Sequence, residues 1–167
     1  EGSSEVVDYG NYSLKYTIKN SVELAECEVT CVEMPNVPTE IVIPSKVTIK
    51  GAEFNVTVVE NEAFKDCTNL TSIEIPSGVT SIGSSAFYYC SSLETIIVEE
   101  GNSVYDSRGN CNALIETASN TLMLGCKNTI IPETVTTIGV SAFMDCSDLA
   151  SIEIPSGVTS IGISAFG

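Results

Sequence analysis

A segment of 23 residues recurs along the chain with apolar side chains at the same offsets, and this limits the fold more than any other feature. The copies read VTVVENEAFKDCTNLTSIEIPSG from Val56, VTSIGSSAFYYCSSLETIIVEEG from Val79 and VTTIGVSAFMDCSDLASIEIPSG from Val135, followed by a shortened VTSIGISAFG from Val158. The first and third agree at 14 of 23 positions. A 33-residue stretch, Asn102 to Thr134, separates the second and third copies, after which the register resumes. A chain built this way stacks equivalent units, each burying its apolar side against the next. Residues 1–55 lack the repeat and alternate apolar with polar instead, as in Tyr12-Ser-Leu14-Lys-Tyr16-Thr-Ile18 and Cys27-Glu-Val29-Thr-Cys31, the pattern of half-buried strands. They are expected to form an N-terminal β cap that covers the first layer and merges with the array near residue 41, where Ile41-Val-Ile43-Pro44-Ser45 already resembles Ile73-Glu-Ile75-Pro76-Ser77. Val47-Thr-Ile49 and Phe54-Asn-Val56 predict a hairpin turning near Gly51.

Within each copy, Leu70-x-x-Ile73-x-Ile75, Leu93-x-x-Ile96-x-Val98 and Leu149-x-x-Ile152-x-Ile154 alternate into a strand. Pro76 and Pro155 end two of these strands, because proline supplies no amide hydrogen to a ladder. Val79-x-x-Ile82-Gly83 then resumes with a second apolar pair. The segment Ser84 to Cys90 predicts a short helix, with Ala86 and Cys90 on one face and serines ahead of it to cap.

L-x-x-I-x-I-P followed by V-x-x-I-G-x-x-A-F-x-x-C resembles the BspA-like (Treponema pallidum-type) leucine-rich repeat family over residues 56–167. The insertion, with Asn102, Val104, Tyr105, Asp106-Ser107 and Ile131-Pro132, resembles a longer variant coil of that family, and Tyr12 to Pro44 resembles its usual cap. The resemblance implies a repeat solenoid, a leucine-rich-repeat-like right-handed coil of short strands and short helices behind an N-terminal β cap. It also implies an extracellular or cell-surface module for adhesion to host or neighbouring-cell proteins, often as part of a longer polypeptide. A structural spacer within a larger surface protein is the alternative, and a glycan-binding module the third. The last is disfavoured by the lack of Trp, which leaves Tyr88 and Tyr89 as stacking platforms.

Charge and chemistry narrow the choices. A net charge of −15, from 22 acidic and 7 basic residues, leaves nothing to neutralise phosphates, so neither nucleic acid nor an anionic membrane is expected as a partner. No apolar run approaches the roughly 20 residues that span a bilayer, so this segment is not expected to insert. The opening Glu1-Gly2-Ser3-Ser4 is not a secretory leader, and a secreted protein with this start has already lost its signal. With no histidine and no GxSxG, HExxH or GxxxxGK[ST] pattern, no catalytic constellation is expected. No cofactor is implied. Cys27-x-x-x-Cys31 lacks the second pair a zinc site needs, and Asp106-Ser-Arg-Gly-Asn110 has too few carboxylates for calcium. Arg108, the only arginine, is expected to bridge Asp106 or a nearby carbonyl.

Cys67, Cys90 and Cys146 share one repeat offset and predict a ladder of buried thiols, free Cys acting as a compact hydrophobe. Cys27 and Cys31 share a strand face, too far apart to bond each other, and are expected in the core. Cys111 and Cys126 flank a hairpin, NALIET-ASN-TLMLG, and face each other if its turn centres between Ala118 and Ser119. A disulfide could then form, although a register slip of one residue would separate them.

For binding, the residues between the buried ones of each strand are candidates, because they line up across units: Ser72 and Glu74, Thr95 and Ile97, Ser151 and Glu153. An extracellular protein is the expected partner. Ile97 breaks the polarity of the row and could anchor it. Thr80-Ser81, Thr136-Thr137 and Thr159-Ser160 form a second polar row, a pattern equally normal for plain β-surface. The shortened last copy leaves an apolar layer unfinished and looks like a cut; if Gly167 is the true last residue, end-to-end self-association through Ile161 and Phe166 is expected.

Overall fold

The computed structural model describes residues 2–20, 26–31 and 39–167, with side chains at 2–19 and 39–167. Its N-terminal strands are β1 (Ser4–Asp8), β2 (Ser13–Asn20), β3 (Glu26–Cys31), β4 (Glu40–Val42), β5 (Lys46–Ile49) and β6 (Ala52–Val59). They are followed by β7 (Ser72–Ile75), β8 (Ser81–Ile82), β9 (Thr95–Val98), β10 (Tyr105–Asp106) and β11 (Leu114–Glu116). Last come β12 (Thr121–Leu124), β13 (Thr137–Ile138) and β14 (Ser160–Ile161).

Alternation in the N-terminal region works as expected. β2 turns Leu14, Tyr16 and Ile18 inward, and antiparallel partners β1 and β3 flank it. The hairpin of β5 and β6 pairs Val47 with Phe54 and Ile49 with Ala52, around a turn in which Lys50 and Gly51 both take positive φ, 51° and 82°. That is the backbone a two-residue hairpin turn requires, and Gly51 adopts it without strain. β6 also pairs in parallel with β3 and β8, so the N-terminal strands and the repeats share one sheet. The core placement expected of Cys27 and Cys31 concerns side chains outside the described set.

Parallel pairing of equivalent strands follows from the repeat. In the sheet of β4, β7 and β9, Ile73 lies in register with Ile41 on one side and Ile96 on the other, all at most 1% exposed. Each such side chain contributes roughly 1.5–3 kcal/mol by leaving water.

The segments after each glycine differ from expectation. The described residues hold no α-helix, only a 3₁₀ turn at Arg108–Asn110 and runs of separate tight turns. Lys65 N–H donates to Glu62 O and Cys67 N–H to Phe64 O, each three residues back, and the run is broken by positive φ at Glu62 (56°) and Asp66 (61°). Ser85 and Tyr89 repeat this in the second copy, Ser141 and Asp145 in the third. A helix loses here to bonds between copies. The amides of Glu62, Phe64 and Asp66 donate to the carbonyls of Ser84, Ala86 and Tyr88, at 3.0, 2.7 and 2.9 Å. Those of Ser141, Phe143 and Asp145 reach Ile163, Ala165 and Gly167 in the same way. Left-handed backbone at a residue with a side chain costs on the order of 1 kcal/mol, which these cross-copy bonds offset. Ala86 and Cys90 are still both buried, as their shared spacing predicts, without the helix that the spacing suggested.

The core follows the repeat in Phe64, Phe87 and Phe143, which are 0%, 8% and 2% exposed. It divides at the insertion. One cluster runs from Leu14 to Cys126, and a second gathers Cys111, Ile115, Leu122, Ile138 and Phe143 among residues up to Ala165. Asn102 organises the entry to the insertion. Its amide group donates to the carbonyls of Pro76 and Val79, while its oxygen accepts from the amides of Val104 and Tyr105. These bonds supply backbone groups with partners where the strand pattern breaks off.

Candidate functional site

Three short parallel strands, with isoleucines beneath them, present one outward face. Register places Glu40, Ser72 and Thr95 in one row and Val42, Glu74 and Ile97 in the next. Val42 is 53% exposed and Ile97 41%, so a half-buried carboxylate stands between two exposed branched apolar groups. Tyr12 tethers the edge of this face by donating its hydroxyl hydrogen to Val42 O at 3.1 Å. Thr71 just before β7 likewise donates through its hydroxyl to Thr39 O at 2.8 Å.

Four of the six candidate contact residues therefore meet: Ser72, Glu74, Thr95 and Ile97. Ser151 and Glu153 do not. They are exposed, but their segment pairs with no strand, because β10 and β11 of the insertion lie against β9 where the next repeat was expected. Ser107 Oγ closes part of that edge by accepting the amide of Val98 at 3.0 Å. Glu40 and Val42, the two further residues of this face, lie outside the 23-residue copies. The signal was present in the likeness of Ile41-Val-Ile43-Pro44 to the later strands.

The second polar row is held by neighbouring backbone. Thr136 and Thr159 donate their hydroxyls to Ser119 O and Thr136 O, both at 3.3 Å, so these groups serve the stack itself. Tyr88 and Tyr89 pack edge to face with centroids 4.1 Å apart, leaving no pair of parallel platforms for a sugar.

Arg108 meets its expected partner. Its Nε and Nη2 donate to the two oxygens of Asp106 at 2.7 and 2.6 Å, and Nη1 donates to Asn120 Oδ1 and Thr134 Oγ1. Thr117 adds a hydroxyl donor to Asp106 at 2.8 Å. Burial pushes the Asp106 carboxyl up, but the hydrogen bonds and charge of Arg108 with the Thr117 bond outweigh it and hold the group below the usual carboxylate range. The clamp ties both ends of the insertion together and occupies the one acidic loop considered for calcium. Among the described residues, no group of His, Cys, Asp and Glu is arranged to hold a metal ion.

Cys67, Cys90, Cys111 and Cys126 are buried and Cys146 is half-buried, and none of these five is in a disulfide. The disulfide considered for Cys111 and Cys126 is not formed. Glu116 pairs with Thr121 and Ile115 with Leu122, as the hairpin arithmetic required, but a bulge between Leu114 and Ile115 then shifts the register by one. Cys126 Sγ instead donates to Asn112 O at 3.3 Å, and Cys111 Sγ to Ala113 O at 3.9 Å. Burial raises the thiol pKa of both, and that of Cys146 to about 11 with further help from Cys126 and Asp145.

No helix among the described residues is long and apolar enough to cross a membrane. The sequence matches the BspA type Leucine rich repeat region in six copies, over residues 39–116 and 121–167. No functionally curated protein matches it. Among solved structures, the chain is similar to the pneumococcal vaccine antigen PcpA, with 16% identity, a TM-score of 0.53, and coverage of 99% of this chain and 68% of that one. A leucine-rich repeat protein from Bacteroides ovatus is 31% identical with a TM-score of 0.49, over 90% of this chain and 31% of that one. The Treponema pallidum leucine-rich repeat protein is 21% identical with a TM-score of 0.43, over 98% of this chain and 56% of its own. With the family pattern covering most of its length, the chain belongs to the BspA-type leucine-rich repeat family.

Proposed function

We propose that this chain is a non-catalytic adhesion module at a cell surface or in the extracellular space, binding a protein through the face of β4, β7 and β9. The observation that carries the reading is the row Val42, Glu74, Ile97, where exposed branched side chains flank a carboxylate on a rigid parallel sheet. Exposed apolar side chains with a polar rim mark interaction surfaces, and repeat arrays present them without any need for a cleft. The N-terminal strands serve as the cap of a right-handed solenoid in this reading, keeping the first layer from water. The vaccine antigen among its structural relatives supports the surface location.

Binding to a panel of immobilised extracellular-matrix proteins tests it, comparing the parent chain with Val42→Asp/Ile97→Asp and Glu74→Lys. Loss of about tenfold or more in affinity for the sheet variants, with Glu153→Lys unaffected, is the expected result. No micromolar partner for the parent chain would favour the spacer reading.

A further inference from the structure

Parallel register gives the outward row Val42, Glu74 and Ile97 a fixed pitch, because each residue sits directly across from the next. Neighbouring strands lie roughly 4.8 Å apart, which puts Val42 about 10 Å from Ile97 with Glu74 midway. Glu40 stands diagonally beside Glu74, opposite Ser72. Neither carboxylate has an ion-pair or side-chain hydrogen-bond partner among the described residues. Cations of the chain are spent elsewhere: Lys46, Lys65, Lys127 and Arg108 pair with Glu53, Glu62, Glu94 and Asp106.

We propose that this face binds an amphipathic helix of a partner protein, which crosses the strands and carries a lysine or arginine between two apolar residues seven positions apart. The inference rests on the reading of the face as a protein-binding surface, and it names the element that occupies it. Pitch selects the helix. At roughly 1.5 Å of rise per residue, side chains at i and i+7 lie about 10.5 Å apart on one side of a helix, with i+3 or i+4 between them, as the row requires. An extended segment does not match. Residues on one side of a strand recur every 6.8 Å or so, and three of them in succession span nearly ~14 Å. Charge selects the central residue. A helix laid over the row covers Glu74, which is already half-buried, and an acidic or neutral residue above it would leave that carboxylate without a partner. A long basic side chain placed there also reaches the diagonal neighbour Glu40. The net charge of −15 draws a basic partner in and turns an acidic one away. Apolar flanks then seat on Val42 and Ile97, the two exposed branched side chains of the row.

The probes are three capped helical peptides of about 18 residues on an alanine and glutamine background. One carries Leu, Arg and Leu at i, i+3 and i+7, the second has Glu in place of Arg, and the third keeps the composition of the first with its leucines five apart. Fluorescence anisotropy of each labelled peptide against the full chain reads the affinity. Binding of the first is expected to be about tenfold tighter than that of either comparison. Glu74→Lys is expected to reverse the order of the Arg and Glu peptides, and Glu153→Lys, away from the face, to leave it unchanged. Absence of binding, indifference to spacing, or an order that Glu74→Lys fails to reverse overturns the proposal. If a matrix protein binds through the sheet face while the peptides do not, the helix is overturned and the binding surface stands.

Discussion

Gly125 lies so close to Phe143 that a Cβ built on the glycine would fall 2.0 Å from Cε1 of the ring. The constraint is purely one of space, and the atom in the way belongs to a fully packed ring that holds the second core cluster together. Gly125→Ala is expected to destabilise the protein by about 1–3 kcal/mol, the usual cost of overpacking. Urea unfolding measures it, and a change of only a few tenths would mean that the Phe143 ring is free to move aside.

Stacked rings at equivalent positions should differ in worth according to their cover. Phe143 is 2% exposed and Phe166 44%. Phe143→Ala is expected to cost about 3–5 kcal/mol and Phe166→Ala less than half as much. Equal losses in thermal unfolding would show that stacking, and not burial, sets the energy.

The insertion depends on one ion pair more than its length suggests. Arg108→Ala leaves Asp106 with the Thr117 hydroxyl and the backbone amide of residue 108, and a cost of about 1–2 kcal/mol is expected for a partly exposed bidentate pair. The folded pKa of Asp106 is depressed, so its contribution is present above the unfolded value near 3.9 and lost as pH falls through the folded one. Acid titration of stability should therefore be less steep in Arg108→Ala than in the parent.

Alkaline conditions should act through the thiols. Raised folded pKa values at Cys111, Cys126 and Cys146 mean that the unfolded chain ionises first. The stabilising contribution is complete below the unfolded value near 8.5 and is lost as pH climbs toward about 11, the value for Cys146. Cys146→Ala should flatten this decline between pH 9 and 11 relative to the parent. An unchanged slope, measured by urea unfolding, would argue that Cys146 is not desolvated.

Ile161 on β14 and Phe166 beyond it are 52% and 44% exposed, and a second copy covering them is the expected outcome for this 167-residue chain. Sedimentation velocity should show association that rises with concentration and is abolished by Ile161→Asp/Phe166→Ser. A monomer at all concentrations would rule it out.

Much of the fold was legible because the repeat marks buried positions directly: Phe64, Phe87 and Phe143 needed only their shared offset. Periodicity fails where two backbones satisfy the same spacing. Ala86 and Cys90 four apart suit a helix, yet the choice was made by amides reaching Ser84, Ala86 and Tyr88 in the next copy, partners no local window contains. The hairpin register was correct for Glu116 and Ile115 and went astray at Leu114, since nothing in the residues announces the bulge. For the sheet face, Ser72, Glu74, Thr95 and Ile97 were readable, and Ser151 and Glu153 were misplaced because the insertion takes the strand position that simple counting assigned to their copy.

The division of the apolar interior has a mechanical consequence. Under tension along the direction in which the units succeed one another, load crosses from the first half to the second between the sheet of β4, β7 and β9 and that of β10 to β14, which share no strand pairing among the described residues and are bridged by Ser107 Oγ accepting the Val98 amide. Each half keeps an oily interior of its own, so the molecule would part at this joint while the flanking units stay intact. A molecule pulled from its two ends would yield there first, and the two folded halves would let it close again.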